Sequence, residues 1–294
     1  MISAVIVNYN SGQYLQACIK TVVEQVDEII IVDNDSTDNS ISMIKELLKE
    51  HPSIHLIMNE LNLGFATACN IGLNKSKGDS VAFLNPDCIF TPTAIPILET
   101  ALRVDASIGM VGGLLMNPDG SEQHGGRRAM PTPWRSFVNA FGLTRFSKRW
   151  PKLFADFNLH HDELPETAIE VEAISGACML VKREAIESVG QWDEDYFLHC
   201  EDLDLCMSFV QKGWKVMFVP EAKISHVQGV CGRSRPVFVE WHKHQGMIHF
   251  YKKFFRYQYP GVLMWLVVAS VWVRFLAVAT PHFIRHFFSY CRKI

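Results

Sequence analysis

The stretch Val81-Ala82-Phe83-Leu84-Asn85-Pro86-Asp87 constrains this chain more than any other. Four apolar residues without alternation spell a strand buried on both faces, and the run ends at a polar turn where Pro86 has no N–H to extend a ladder. A carboxylate is left at the carboxyl end of a central strand, the edge at which open α/β sheets bind ligands. Asp87 is therefore a candidate for holding a metal-bound diphosphate. The competing reading is a turn aspartate that satisfies local backbone donors.

Two earlier runs repeat the pattern. Ala4-Val5-Ile6-Val7 stops at Asn8-Tyr9-Asn10-Ser11-Gly12, and Glu28-Ile29-Ile30-Ile31-Val32 stops at Asp33-Asn34-Asp35-Ser36-Thr37-Asp38. Leu15, Cys18, Ile19, Val22 and Val23 fall at helical spacing over Tyr14 to Val23, and Ile41, Ile44, Leu47 and Leu48 mark a second helix closed by Pro52. Ile54 to Ile57 is a short strand and Gly64 to Asn74 a small helix. Strand and helix alternating at roughly 25-residue intervals indicate a parallel sheet with right-handed crossovers. No G-x-G-x-x-G follows the first strand, which argues against a dinucleotide-binding dehydrogenase.

Thr91-Pro92 caps a helix carrying Ile95, Ile97, Leu98, Ala101 and Leu102, Ile108 to Leu115 is a strand, and Asn117-Pro118-Asp119-Gly120 is a hairpin turn. From Gln123 to Pro165 periodicity is lost, and Arg127, Arg128, Arg135, Arg145, Lys148, Arg149 and Lys152 stand beside several aromatic residues. An irregular insertion of this length, residues 123–165, is expected to be a lid over an acceptor. Strand character returns over Ile169 to Ile174 and Met179 to Val181, on either side of the small residues Ser175-Gly176-Ala177. Lys182 to Val189 is a short helix, and His199-Cys200-Glu201-Asp202-Leu203-Asp204-Leu205 opens another that runs to about Gln211. Val216 to Val219 is a strand, and His226 follows Ile224-Ser225.

With 294 residues and 48% hydrophobic content the chain can bury one large core or two smaller ones. Its eight cysteines (Cys18, Cys69, Cys88, Cys178, Cys200, Cys206, Cys231, Cys291) form no C-x-x-C pair, and Met1-Ile2-Ser3 enters a strand directly, without a signal peptide. Reduced thiols in a cytoplasmic compartment, mostly filling core space, are expected.

The net charge of -3 hides an asymmetry, because residues 241–294 hold eight Lys or Arg and no acid. Val262 to Ala279 is almost wholly apolar apart from Arg274, with Lys252, Lys253 and Arg256 before it and Arg285, Arg292 and Lys293 after it. The chain is thus divided into a domain over 1–240 and a helical segment, 241–294, that associates with an anionic membrane face. Monotopic attachment is preferred to a span, since Arg274 would cost about 2.5–3.5 kcal/mol at a helix centre. The alternative is a helix hairpin packed on the domain or on the second subunit of a homodimer. The basic residues flank an apolar block instead of interleaving with polar contact residues, which argues against a nucleic acid partner.

With these pieces in order, the chain resembles the inverting family 2 glycosyltransferases of the GT-A fold, and among them the dTDP-rhamnosyltransferase-like enzymes of bacterial surface polysaccharides such as O-antigen. The likeness rests on Val5-Ile6-Val7-Asn8-Tyr9-Asn10, Val32 to Asp38, Asn62-Leu63-Gly64-Phe65-Ala66, Phe83 to Asp87, Ser175-Gly176-Ala177-Cys178-Met179 and Phe197 to Leu205, within residues 1–250. It implies a Rossmann-like α/β fold, a mostly parallel mixed sheet flanked by helices, extended here by the apolar, cationic C-terminal helices. It also implies transfer of a sugar, L-rhamnose from dTDP-rhamnose before others, to a lipid-linked or polysaccharide acceptor at the cytoplasmic face of the inner membrane. A UDP-sugar-dependent relative and a non-catalytic nucleotide-sugar-binding scaffold are the alternatives.

The resemblance also implies residue roles. Asp33 would accept a hydrogen bond from the imide of thymine or uracil, with Tyr9 stacked on that base. Val7, Asp35, Asn62, Gly64, Asn70, Asn85 and Pro86 would line the nucleotide-sugar. Asp87 would hold Mg²⁺ or Mn²⁺ across the two phosphates as the last acid of a D-x-D motif whose first acid is here Asn85, and His226 would complete the metal site. Asp202 would be the base that takes the acceptor hydroxyl's proton, opposite the leaving nucleotide diphosphate.

Asp202 precedes Leu205, Cys206 and Phe209 by three, four and seven residues, an apolar stripe that would partly desolvate it. The competing reading is a first-turn acid offsetting its helix dipole, worth about 0.3–1 kcal/mol. Glu201, Trp192 and Asp193 would contact the acceptor sugar, unless Trp192 is core. Arg127 and Arg128 would meet a phosphate of a lipid-diphosphate acceptor, unless they belong to a solvated loop.

Overall fold

Every unbroken apolar run of the N-terminal third becomes an interior strand. The elements are β1 (Ile2–Asn8), α1 (Gln13–Val22), β2 (Glu28–Asp33), α2 (Ser40–Met43), α3 (Lys45–Glu50), β3 (Ile54–Met58), α4 (Phe65–Lys75) and β4 (Ser80–Leu84) in a computed structural model that describes residues 1–227 and 235–291, with side chains as far as 281. Cys231, Arg292 and Lys293 lie outside the described residues, as do the side chains of Arg285 and Cys291. β3, β2, β1 and β4 lie side by side in parallel register, and β2 and β4 are buried at every position. The helix expected over 41–48 is divided, because Ile44 takes φ −98° and ψ 0° between α2 and α3.

Beyond β4 come β5 (Cys88–Phe90), α5 (Ala94–Arg103), β6 (Ile108–Met116), β7 (Arg127–Arg128), α6 (Pro133–Ala140), α7 (Pro151–Phe154), β8 (Ile169–Glu170) and β9 (Ala173–Ile174). They are followed by β10 (Cys178–Lys182), α8 (Arg183–Val189), α9 (Glu201–Gln211), β11 (Lys215–His226), α10 (Pro236–Phe255) and α11 (Val262–Cys291). Here the sheet becomes mixed. β10 runs antiparallel between β4 and β6, β11 lies parallel to β6, and β5 closes the edge antiparallel to β11. The order is β3-β2-β1-β4-β10-β6-β11-β5, with β8 also on β11.

Two strand expectations are corrected. Residues 169–174 form two short strands, β8 on β11 and β9 on β7, because the chain bends at Val171-Glu172, where the Glu172 carboxylate accepts from the Met130 N–H and from Arg135. The strand at 216–219 continues to His226 despite Pro220, since its register against β6 jumps between Val219 and Lys223 and leaves Pro220 outside the ladder.

Alternation along each strand feeds two apolar layers, one per sheet face. Val5, Val7, Val81 and Phe83 enter one core, and Ala4, Ile6, Ala82 and Leu84 the other. All six described cysteines are buried and unbridged in these layers, as expected.

α10 begins before the boundary drawn at 240 and is part of the first core, with Ile248, Phe250, Tyr251 and Phe255 buried. A Cβ on Gly246 would lie 2.6 Å from the His199 carbonyl oxygen, so only glycine lets α10 sit this close to the chain entering α9. Lys253, expected at a membrane, instead bonds to Asp193 at 2.6 Å and Asp204 at 2.8 Å. α11 packs on α10 through Trp241, whose ring lies 5.0 Å from Trp272 and 5.5 Å from Phe275. Its other side leaves Val262, Trp265, Val273 and Leu276 exposed, and Val262–Pro281 is long and apolar enough to cross a membrane.

Candidate active site

β4 ends at Leu84, and Asn85-Pro86-Asp87 turns directly into β5. The antiparallel register of β5 and β11 pairs Cys88 with His226, so sheet geometry carries His226 to Asp87, with Nε2 3.2 Å from Oδ1. Gln123 fixes the ring. Its Nε2 donates to the His226 carbonyl at 3.1 Å and to Asn117 Oδ1 at 3.2 Å, which leaves Oε1, 2.6 Å from His226 Nδ1, as the acceptor. With Nδ1 anchored on Gln123, Nε2 is the ring nitrogen turned toward Asp87. All three side chains are buried.

This pair fits a divalent cation, offering one carboxylate and one imidazole nitrogen whose far side is already anchored. Cys88 Sγ lies in the same cluster but donates to the Ala177 carbonyl at 3.4 Å, and a thiol that keeps its proton is no ligand for a hard cation. Asn85, half-buried beside them, supplies at most an amide oxygen where the family motif has an acid.

The second cluster forms at the start of α9. His199 and Cys200 both adopt positive φ, 69° and 73°, a costly conformation for side-chain-bearing residues, and turn the chain sharply into the helix. Asp202 Oδ2 accepts from Gly176 N–H at 3.2 Å and Arg128 Nη2 at 2.5 Å, and Oδ1 accepts from Leu203 N–H at 2.8 Å. Burial alone would push this carboxyl up. The charge and hydrogen bond of Arg128, with the two amides, outweigh burial and hold it below the ordinary carboxylate range. Its neighbour Glu201 is buried, has an oxygen without a protein partner, and is pushed well up by burial and then by the Asp202 charge. Adjacent acids are thereby driven apart, one kept ionised and one biased toward its protonated form.

One loop joins the two clusters. Gly176 N–H bonds to Asp202, while the carbonyl of the next residue, Ala177, accepts from Asn85 N–H at 2.9 Å. Asp202 and Asp87 therefore lie on the same rim. A Cβ at Gly176 would lie 3.2 Å from the Asp202 Cβ, so a larger residue there would press on the Asp202 side chain.

Residues 3–190 match the sequence profile of glycosyl transferase family 2, and residues 126–290 that of glycosyl transferase family group 2. The chain belongs to glycosyl transferase family 2. Within the family it is similar to the N-acetylglucosaminyl-diphospho-decaprenol L-rhamnosyltransferase of Mycobacterium tuberculosis, 31% identical over 242 residues that cover 77% of this chain and 76% of that one. Among solved structures it is similar to the mannosyltransferase PcManGT from Pyrobaculum calidifontis in complex with GDP-Man and Mn²⁺ (TM-score 0.59, 18% identity, 95% of this chain and 75% of that one). It is also similar to GalNAc-T7 with UDP, GalNAc and Mn²⁺ (TM-score 0.55, 21% identity, 77% of this chain and 43% of that one). These likenesses establish the fold, the mixed GT-A sheet flanked by helices that the motif order implied.

Several residues assigned to donor or acceptor by family resemblance are occupied within the protein. Asp33 is fully buried, with Oδ1 accepting from Asn8 Nδ2 at 2.6 Å and Oδ2 from Ser36 N–H at 3.0 Å, so it ties β1 to β2 and offers no face to a base. Asp35, at φ 61°, is exposed and Tyr9 is half-buried. Val7 and Pro86 are buried, and Asn62 caps the Gly64 N–H at 2.9 Å. Gly64 is glycine because a Cβ would lie 2.7 Å from the Phe197 carbonyl oxygen, so the protein's own backbone already requires it.

Asn70 clamps both backbone groups of Trp192, at 2.9 and 3.1 Å, and Trp192 is a core residue, edge-on to Phe65 and Phe83. Asp193 is engaged by Lys253 and by His249 at 3.2 Å. Arg127 grips Glu122 through two bonds and the carbonyls of Asp162 and Glu163, so it staples the insertion instead of facing an acceptor. Residue type assigns no role to Gln123, and marks Gly176 only as one of the small residues Ser175-Gly176-Ala177. The turn at Asn117 to Gly120 was the available signal for Gln123, which sits on its return leg with its N–H on the Leu115 carbonyl.

Proposed function

We propose that this family 2 chain transfers L-rhamnose from dTDP-rhamnose, with inversion, to a lipid-linked diphosphate glycan at the cytoplasmic face of the plasma membrane. The observation that carries the reading is the loop at Gly176-Ala177, which hydrogen-bonds to Asp202 through one residue and to the Asp87 turn through the next. Asp202 takes the proton of the acceptor hydroxyl while that oxygen attacks the anomeric carbon opposite the leaving nucleotide diphosphate. Asp87 and His226 hold Mg²⁺ or Mn²⁺, and the bound cation supplies charge neutralisation to the departing diphosphate. The Mn²⁺ named with both solved neighbours supports that site.

Arg128 gives the base its timing. Paired with Asp202 it keeps the carboxylate ionised but weakly basic. A diphosphate on the acceptor competes for the same guanidinium, and Asp202 becomes more basic as that hold loosens. The diphospho-decaprenol named for the Mycobacterium relative supports an acceptor of this class, and the exposed apolar side of α11 supports membrane attachment.

The test is turnover by the full chain, purified from membranes, with dTDP-rhamnose or UDP-sugars, a polyprenyl-diphospho-sugar and Mn²⁺ or Mg²⁺. An inverted rhamnoside by NMR is the expected product. Transfer from a UDP-sugar alone would reassign the donor, and tight donor binding without any transfer or hydrolysis would favour the scaffold reading.

A further inference from the structure

From Gln123 to Ala155 the chain has seven Lys or Arg and no Asp or Glu. Three of the seven are spent within the protein, Arg127 on Glu122, Arg128 on Asp202 and Arg135 on Glu172 at 2.7 Å. Arg145, Lys148, Arg149 and Lys152 are exposed, and among the described residues none of them forms an ion pair. Interleaved with them is an apolar surface that is exposed among the described residues. Trp134, Phe137 and the C-cap Phe141 fall at i, i+3 and i+7 on one stripe of α6, with successive ring centroids 5.6 and 4.5 Å apart, and Phe141 is 65% exposed. The other side of α6 already supplies Pro133 and Val138 to the interior, so this helix is apolar both inward and outward. Phe146, Trp150 and Leu153 continue the patch, and Trp134 Nε1 donates to the Leu153 carbonyl at 2.8 Å, which holds the two halves together.

The patch is joined to the tail. Tyr251 of α10 donates to Ser136 of α6 at 2.7 Å, and α10 is the helix on which α11 packs. We infer that residues 133–154 are a second membrane-docking surface, seated on anionic lipid headgroups beside α11. Aromatic rings among unpaired cations, without a single acid, match the chemistry of a negatively charged interface, where rings enter the acyl boundary and Lys or Arg remain with phosphates. A protein partner would have to meet the four exposed cations with acids, and no acid stands in this stretch to fix its register. If the acceptor is lipid-linked, as proposed above, this seating lets its tail stay in the bilayer while its diphosphate reaches Arg128, at the start of the same insertion.

The full chain should be tested by hydrogen exchange against vesicles of phosphatidylcholine with and without phosphatidylglycerol. Amides of 133–154 are expected to gain protection with the anionic vesicles only, and to lose it at high salt. The variant K148E/R149E/K152E should partition into those vesicles on the order of a hundredfold less, from about one kcal/mol per cation, while turning over a water-soluble acceptor normally. Protection confined to α11 would overturn the inference. So would protection of 133–154 without lipid, whether it rises with protein concentration, as a second copy would cause, or with a water-soluble acceptor, as simple lid closure would.

Discussion

Asp87 and Asp202 stand on one rim, tied to consecutive residues of one loop, yet their surroundings differ in a way that separates their chemistry. Asp87 closes the turn after β4 and faces Nε2 of an imidazole anchored by Gln123. Asp202 starts a helix and faces a permanently charged guanidinium. An imidazole can act as a ligand beside Asp87 and leaves that site able to accept a cation, whereas Arg128 already supplies one to Asp202 and keeps it ionised. The partner, more than the carboxylate, decides between ligand and base.

The largest effect expected of this contrast is on Asp202→Asn. Transfer should fall by about 10²–10⁴-fold while donor affinity, measured by calorimetry, stays within a factor of two or so, because a general base acts in the transition state and not in donor binding. Ordinary turnover by this variant would remove the base assignment and with it the contrast. Next in size is Gln123→Ala. Freed of its anchor, the His226 ring loses its fixed orientation, and Mn²⁺ affinity in the presence of a nucleoside diphosphate should drop roughly 10–100-fold by electron paramagnetic resonance, with kcat recovering at saturating metal. Unchanged metal affinity would mean that His226 is not a ligand.

Arg128→Gln sharpens the other side. Without the guanidinium, burial dominates and the Asp202 carboxyl rises, so the acid limb of kcat/KM should move to higher pH than in the parent. The stability signs follow. Asp202, depressed in the folded state, contributes stability above the ordinary carboxylate range and loses it as pH falls through its lowered value. Glu201, raised in the folded state, costs stability as pH climbs past the ordinary range toward its raised value, so Glu201→Gln should flatten the decline of Tm on the alkaline side. An acid limb unmoved in the Arg128 variant would show that Asp202 does not titrate in the rate.

How much of this was legible in the chain depends on whether a residue's role is set by its own strand or by a distant partner. Unbroken apolar runs ending in polar turns gave β1, β2 and β4 and the rim position of Asp87, because burial on both faces leaves no other pattern. Arg127 and Arg128 read alike as neighbours, but they form a strand, and alternation sends one inward under Phe218 and Glu122 and the other to Asp202. Asp33 and Asp35 are similarly indistinct by type; only the contacts of Asn8 and Ser36 across two strands reveal that the first is internal. Pro220 concealed the length of β11, and with it the register that delivers His226.

The smallest expected effect on rate tests a third carboxylate. Asp204 is buried, accepts from Tyr196 O–H at 2.9 Å and is bridged by Lys253 to Asp193, so here a carboxylate and a cation serve only to dock α10 on α9. Burial raises its carboxyl in spite of Lys253. Lys253→Met should therefore cost roughly 1–2 kcal/mol by denaturant midpoint, a partly exposed lysine contributing less than a buried one, while Asp204 takes up a proton. Adding Asp204→Asn should recover part of the loss, since the unpaired buried charge is then gone. Transfer should remain near the parent rate in both variants. A folded Lys253→Met protein with a large loss in KM for acceptor would instead return Asp193 to the acceptor site and make the third carboxylate cluster part of the rim.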